Sequence, residues 1–444
     1  MPLYPSREAR HTKGHFTPFF RVFLLVAVLN ILIFALVEIF LQPGVYTSSV
    51  AVTTYLLLTV VMRNEYFVNS LFVLFVDKST HPPLSIRRHF GRVYCYYGTI
   101  HRASASAALI WYVALIIKLC QKSDATIMRI LSSCFVLSSM VFIILFALPF
   151  MRRLHHNCFE CVHRYCAWAL LLIFWIQLIL TVREDALLSH SNFWKLFLAD
   201  VRVWEVSLIT GFVIFPWLHL RKRVVECRRL SSHALVLNFG HRVVSFGQAV
   251  RITDSPLRET HAFAVIPNIR SSIKGLSEEG KKVWHVDQKG FSIIISRAGD
   301  WSGRIIDNPP TRIWTRGLPQ FGTVRVVKLF RPCIVMATGS GIGPCLSLFV
   351  EQPSHPVKIV WSARAPLETY GSAIMATITR VDPTAIIHDT QELGRPDLVQ
   401  VARNLWESGG FEAVVFISNM KATREVTRGL EENGIYAYGV IFDS

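Results

Sequence analysis

The chain has 444 residues, enough for two or three folded units, and with 52% hydrophobic residues and a mean hydropathy of +0.38 it is too apolar to be wholly soluble. Its net charge of +17 comes without a basic block interleaved with aromatics, and Lys and Arg gather beside apolar runs, which excludes nucleic-acid binding as the cause and reads as membrane topology. Nine cysteines, an odd number with several inside apolar segments, predict free thiols facing a reducing compartment rather than a disulfide framework.

Residues 1–17 are polar and basic, and no small-residue cleavage pattern follows the first apolar run, so no removable signal peptide is expected. Apolar runs at about 18–41, 46–62, 92–119, 126–150, 158–182 and 203–220 predict a six-helix transmembrane domain, since each approaches the roughly 20 residues that a bilayer requires. Arg63-Asn64-Glu65 interrupts the second, and the apolar run 66–76 reads as an interfacial continuation. Arg7, Arg10, Lys13 and Arg21, then Lys78, Arg87, Arg88 and Arg92, then Arg152 and Arg153, then Arg221, Lys222, Arg223, Arg228 and Arg229 fall on one side. The other side has only Lys118, Lys122, Arg129, Arg183, Lys195 and Arg202, so the positive-inside rule puts both termini in the cytosol of an integral, multi-pass protein. Endoplasmic reticulum and plasma membrane fit equally.

From residue 221 the texture becomes short and β-rich. Ala234 to Phe239, Ala249 to Ile252, Ala262 to Ile266 and Phe291 to Ser296 predict a small antiparallel β-barrel over 221–328. From 329 to 444 strands and helices alternate: 333–338 with 345–351, 357–362 with 371–380, 385–388 with 396–407, and 413–418 with 423–433. That rhythm predicts a doubly wound parallel α/β sheet, and a barrel followed by such a sheet is a two-cofactor arrangement. The most specific local signal lies at its head. The apolar strand Cys333 to Thr338 runs into Gly339-Ser340-Gly341-Ile342-Gly343, with Pro344 expected at the first position of a helix. Glycines let backbone approach a pyrophosphate, and a helix N-terminus offers it free N–H groups, so the expected ligand is a dinucleotide. Arg364, just past the next strand, stands where an arginine pairs with a ribose 2′-phosphate, which favours NADPH over NADH; a solvated loop cation is the other reading.

Several motifs together resemble the ferredoxin-NADP reductase-like module. With six helices ahead of it, the chain resembles the ferric reductase and NADPH oxidase superfamily, and within that the integral membrane proteins similar to fungal TmpA, a group also found fused to adenylate-forming synthetase-like enzymes. Pro256 to Phe263 resembles the flavin-facing strand and implicates His261 and Phe263. Ser296 to Ser302 resembles the Gly-x-x-Ser/Thr turn that holds the FAD pyrophosphate; Gly299 and Ser302 would present N–H groups and a hydroxyl to phosphate, with charge from Arg297 or Arg304. Gly394-Arg395-Pro396 looks like a segment of NADPH oxidases and implicates Arg395, while Ala437 to Ser444 resembles the carboxyl end of the TmpA-like group, with Phe442 as the aromatic near the flavin. Two departures stand out. Ala264 replaces the hydroxyl residue usual near flavin N5, and Ser418-Asn419 replaces the usual Cys-Gly-Pro.

The superfamily carries two haems on histidine pairs 13 or 14 residues apart along its third and fifth helices. Four turns of 3.6 residues return nearly to one face, which is why the spacing matters. Here His101 is followed at those positions by Ala114 and Leu115, and His163 by Ile176 and Gln177. His101 and His163 would share at most one inner site, with His89 some 120° off the face, so the spacing argues against haem and against a two-haem wire. His101-Arg102 and His163-Arg164 read either as a basic pocket for an anionic or amphiphilic substrate or as arginines snorkelling to headgroups. Cys158-x-x-Cys161-x-His163, with Cys166, mimics metal-ligand spacing without a second ligand pair, so no metal is expected.

The expectation is a bilayer-anchored flavoprotein that moves hydride from NADPH or NADH to FAD on the cytosolic side and on to an unidentified acceptor, cytosolic or membrane-dissolved, with no assigned catalytic residue and no nucleic-acid partner. The alternative is a nucleotide-binding regulatory membrane protein of the same fold with decayed catalysis.

Overall fold

A computed structural model describes residues 18–78, 82–121, 127–268, 270–272, 285–287 and 290–441. In the first half, five helices are long and apolar enough to cross a membrane. They are α1 (Pro18–Leu36, continued by a π turn to Leu41), α5 (Val93–Cys120), α6 (Ile127–Ala147), α8 (His156–Leu188) and α10 (Val201–Leu218). α2 (Val45–Val61) makes a sixth only if counted with the helix after it, to which it is bent by 64°. α1 and α2 pack on α5, α6 on α8 and α10 on α2, around Val52, Trp111, Tyr112, Val136 and Met140. Two polar groups of uncertain role are paired: Glu38 bonds Lys118 at 2.7 Å and Glu160 meets Arg164 at 3.6 Å. All nine cysteines are free.

The bend after α2 has a local cause. Asn64 accepts from the N–H groups of Tyr66 and Phe67 at 3.0 and 3.2 Å, a side-chain cap that starts a new helix, α3 (Glu65–Phe72), extended by a π turn to Asp77. The run 66–76 packs one face against protein, while Tyr66, Val73 and Leu74 stay exposed on the other. Val68, Phe72 and Val76, spaced four apart on one face, are each 0% exposed, packed with Phe246, Val324, Val327, Leu329 and Phe330 of the second half. Polar pairs surround that face. Asn69 donates to the Pro319 carbonyl and accepts from the Phe321 N–H, Glu65 bonds Arg251 at 2.8 Å, and Asp77 takes Arg325 and Lys328 at 2.9 Å each.

A second strap comes from the short helix α4 (Leu84–Phe90). Arg87 forks onto Glu412 at 2.8 and 2.9 Å, Arg92 reaches Glu431 at 3.3 Å, and the Tyr438 hydroxyl donates to the Arg88 carbonyl at 2.8 Å. Gly91 lets the chain pass, since a Cβ there would stand 2.7 Å from the Tyr438 ring.

The expected barrel takes a different form. Strands β1 (Arg221–Val224), β2 (Glu226–Arg229), β3 (Ala234–Phe239), β4 (Gln248–Thr253), β5 (His261–Ala264), β6 (Ile266–Pro267), β9 (Phe291–Ser296) and β10 (Arg312–Phe321) form two four-stranded antiparallel sheets, ordered β1-β10-β4-β5 and β2-β3-β9-β6. A short pair, β7 (Arg270–Ser272) and β8 (His285–Asp287), stands apart. The two larger sheets share a core of Leu235, Leu237, Ile252, Ile293, Ile295 and Ile313, closed by Trp301 and Ile305 of α11 (Asp300–Asp307).

The last part is a five-stranded parallel sheet ordered β13-β12-β11-β14-β15, from β11 (Cys333–Thr338), β12 (Val357–Ala363), β13 (Ile386–Asp389), β14 (Ala413–Ser418) and β15 (Ala437–Ile441). Its helices are α12 (Ile342–Glu351), α13 (Pro366–Tyr370), α14 (Ser372–Val381), α15 (Leu398–Ser408) and α16 (Met420–Glu432). Val335 and Ala337 point into a core with α12, whereas Ile334 and Met336 point into another with α15 and α16, which is why β11 reads as an unbroken apolar run.

Two outcomes follow. Phe72→Ala should cost about 3–5 kcal/mol in a thermal or denaturant melt of the detergent-purified protein, whereas an interfacial α3 would make it nearly neutral. Burial alone would raise the Glu412 carboxyl, but the Arg87 fork and the Arg331 N–H outweigh it and hold the group below its ordinary 4.5. A depressed carboxylate contributes stability above its unfolded pKa and loses it as pH falls through the folded one, so wild type should lose this strap below about pH 4.5. Glu412→Gln should be less stable at pH 7 and converge on wild type in acid.

Candidate nucleotide and flavin site

The order of the parallel sheet reverses between β11 and β14, and a sheet of this kind takes its ligand in the crevice outside the carboxyl ends of those strands. Three groups shape it. Gly341 lies so close to β14 that any Cβ would collide with the Ile417 carbonyl. Gly339 has φ +49°, and the Trp361 indole donates to its carbonyl at 3.0 Å. Thr338 and Ser418 hydrogen-bond through their hydroxyls across the two strand ends.

Gly339–Gly341 form a 3₁₀ turn and α12 begins at Ile342, so Pro344 is its third residue rather than its first. Ser340 is exposed at the turn, whereas Ile342, Gly343 and Pro344 are buried. The Cβ position of Gly343 lies 3.9 Å from Ile294 on β9, and further along α12 Ser347 and Glu351 accept from the Gly247 and Phe246 N–H groups at 3.1 and 2.6 Å. The helix that carries the glycine turn is thus seated on the antiparallel sheets.

Arg364 and Arg395 lie on the same rim as the turn, because one follows β12 and the other follows β13. Both are exposed; Arg364 donates to Gln391 at 3.3 Å, and the Arg395 loop is fixed by His388 against the Gly394 carbonyl at 2.9 Å.

Across the crevice, β5 carries an aromatic layer. His261 stacks on Trp301 at 4.2 Å between ring centroids and Phe263 at 5.9 Å, and Trp301 is only 5% exposed, with its indole N–H buried and unpaired. Tyr370 of α13 comes from the other side, T-shaped against Trp361 at 5.3 Å; burial pushes its phenol above the ordinary value while Ser296 pulls it back. The turn before α11 departs from the expected arrangement. The Ser302 hydroxyl accepts from Ala298 and Gly299 N–H at 2.9 and 3.0 Å and donates to the Gly299 carbonyl, so its capacity is used within the turn. Arg297 is bound to Asp307, and Arg304 stands 3.8 Å from Asp254. Phe442 lies outside the described residues.

The residues present fit two nucleotide cofactors: a glycine turn with Ser340 exposed at the switch point, and on β5 an aromatic layer beside an unused buried donor. Sequence reading missed Trp301, Trp361, Tyr370 and the Thr338–Ser418 pair. Trp361 had a signal, a large aromatic near the end of a strand three residues before Arg364; the others depend on tertiary contact.

His101 and His163 do face each other, with ring centroids 6.4 Å apart, and His101 is bonded to the Thr59 carbonyl at 2.8 Å. His89 belongs to α4, a separate exposed helix. Arg164 reaches out of the bundle to the Leu257 carbonyl at 3.2 Å, joined by Tyr165 at 3.3 Å. Cys158 and Cys161 are exposed while His163 is half-buried against Phe159, and the described residues contain no cluster of three groups able to hold a metal.

A family model described as the C-terminal domain of adenylate-forming reductase 03009 matches residues 323–444. Two proteins of Coprinopsis cinerea are similar over most of the chain. Adenylate-forming reductase 03009 is 35% identical over 390 residues, 87% of this chain and 36% of its own length, and adenylate-forming reductase 06235 is 33% identical over 446 residues, 99% and 41%. The chain thus spans well under half the length of these relatives. Among solved structures, flavohemoglobin from Malassezia yamatoensis with bound FAD and heme aligns over 90% of this chain and 100% of its own at 14% identity and a TM-score of 0.41. The flavohem-like FAD/NAD-binding domain of nitric oxide dioxygenase from Vibrio cholerae aligns over 50% and 98% at 13% identity and a TM-score of 0.34.

The two glycines of the turn should behave oppositely in a melt. Gly341→Ala must displace the Ile417 backbone and should cost about 2 kcal/mol or more, whereas Gly343→Ala meets only ordinary contact and should stay within about 1 kcal/mol of wild type.

Proposed function

We propose that this chain is a membrane-anchored NAD(P)H-dependent flavin oxidoreductase. The observation that carries the reading is the glycine turn at the switch point of a β13-β12-β11-β14-β15 sheet, where Gly341 lets the turn pack onto the Ile417 carbonyl, Ser340 stays exposed at its tip, and the aromatic β5 lies in contact with α12. The names of the relatives, both reductases, agree with it. Five long apolar helices support the anchoring, with the basic residues of Arg87–Arg92 and Arg221–Arg229 marking the cytosolic face.

Flavin, when bound, takes a hydride from the nicotinamide and hands electrons to an acceptor. The chain's own residues bind and orient. The turn at Gly339–Gly343 with the N-terminus of α12 receives the dinucleotide pyrophosphate, and the Thr338–Ser418 pair presents hydroxyls rather than a thiol at the crevice floor. Arg364 and Arg395 offer guanidinium forks on the rim for a ribose 2′-phosphate. His261, Phe263 and Trp301 provide a flat surface for the flavin, and the Trp301 N–H is free to donate. The phosphate of the flavin nucleotide is left to the N–H groups at the head of α11, because Ser302 is engaged with its own turn.

A regulatory reading has one observation in its favour. β5 ends at Ala264, which brings no hydroxyl toward the flavin. A regulator would keep its output in flavin-free protein.

Anaerobic absorption spectra of the detergent-purified protein test the main reading: flavin bands should be present and bleach on addition of NADPH. Protein without flavin and without NAD(P)H oxidation toward any dye acceptor would sink it. Arg364→Ala should raise KM for NADPH about tenfold, a loss of about 1.4 kcal/mol, and leave that for NADH unchanged.

A further inference from the structure

A second cavity, of about 240 Å³, lies away from the crevice, beneath the β1-β10-β4-β5 sheet where α10 ends. Its walls carry Arg221 and Arg223 of β1, Arg242, Arg251 of β4 and Arg316 of β10, with His219 and His241 beside them. It contains no residue of the glycine turn, of α11 or of β5.

Charge in this cavity is not balanced. Arg251 is satisfied by Glu65 at 2.8 Å and Gln320 at 2.9 Å. Arg221, Arg223, Arg242 and Arg316 have no carboxylate within ion-pair distance among the described residues, and the Nε groups of Arg223 and Arg316 are buried without an acceptor. Arg221 donates only to the Leu218 and Leu220 carbonyls, and Arg316 to the Thr260 hydroxyl at 3.2 Å while lying over Trp217. The field is felt by neighbours: burial, then Arg223 and Arg242, push His241 down to about 4, while Arg316, on the other face of the sheet, is pushed down to about 10 by burial, Arg251 and Arg164 against the pull of Glu65 and Glu160. An unpaired buried guanidinium donor is costly, and like charges in a partly enclosed space add to the cost. Arg221 and Arg242 are exposed and Arg223 is half-buried, so the cluster is open to an anion from outside that would lower this cost.

We propose that this cavity is a binding site for a phosphate-bearing anion, held by Arg223 and Arg242 with Arg221 beside them and separate from both nucleotide sites. Guanidinium forks match phosphate oxygens; Arg221 and Arg223 share one face of β1, and Arg242 lies with Arg223 against His241, where none of the three has a carboxylate at ion-pair distance among the described residues. Two sources offer that chemistry. A lipid headgroup is one, because the cavity opens beside the last residues of α10 and basic pockets at the cytoplasmic boundary take anionic headgroups. Free phosphate or pyrophosphate is the other.

Phenylglyoxal labelling of the wild-type chain, read arginine by arginine by peptide mass spectrometry, separates the outcomes. The protein is compared in detergent with and without inorganic phosphate or pyrophosphate, and in nanodiscs of phosphatidylcholine alone or mixed with phosphatidic acid. Arg223 and Arg242 should label more slowly with the anion, while Arg424, exposed on α16, should not change. Protection by phosphatidic acid alone assigns the site to lipid, and protection by the soluble anions assigns it to free phosphate. Arg223→Gln/Arg242→Gln should weaken the protecting anion on the order of tenfold, followed through Arg221 labelling, whereas Arg223→Lys/Arg242→Lys should keep part of it. No protection in any arm overturns the proposal.

Discussion

The burial of Val68, Phe72 and Val76 inside the core of the second half is the constraint on which the remaining architecture rests. These side chains belong by sequence to the helical half and by packing to the sheet that carries the glycine turn. Because cores fill like jigsaws, three fully buried side chains on one face fix the rotation and height of α3, and the ion pairs of Glu65 and Asp77 at its two ends fix its register. The crevice is therefore positioned relative to the helices by protein packing.

Much of the second half was legible. β3, β9, β11 and β14 are the segments that read as uniform apolar runs, and they are the ones covered on both sides or buried between sheets. The edges were harder. β10 carries Arg316, Gly317 and Pro319, and its pairing with β4 shifts register between Arg316 and Gln320, so its pattern does not alternate. α3 shows the deeper difficulty: an apolar face repeating every four residues fits lipid or protein equally well, and only the Asn64 cap distinguishes a new helix from a continued span. In the crevice the glycines were readable because backbone geometry demands them, whereas Trp301 and Tyr370 act through neighbours far away in sequence.

The basic surplus also gains a structural account beyond topology. Arg87, Arg92, Arg251, Arg325 and Lys328 each hold a carboxylate across the boundary between the halves. Arg87 and Arg92, which the sequence assigns to membrane orientation, thus also join the halves, and these partly buried, hydrogen-bonded pairs carry more weight than exposed surface pairs do.

Sharing a core in this way limits what can be separated. A chain beginning at Arg221 would keep every strand of both sheets yet leave Phe246, Val327 and Phe330 facing an open groove where Phe72 had been, with Arg325 stripped of Asp77. Such a fragment would gain an apolar patch and an orphaned charge at one place, the combination that favours self-association. The second half is therefore not an interchangeable cartridge: cut free of α3, it would lose the cover that Phe72 gives its core.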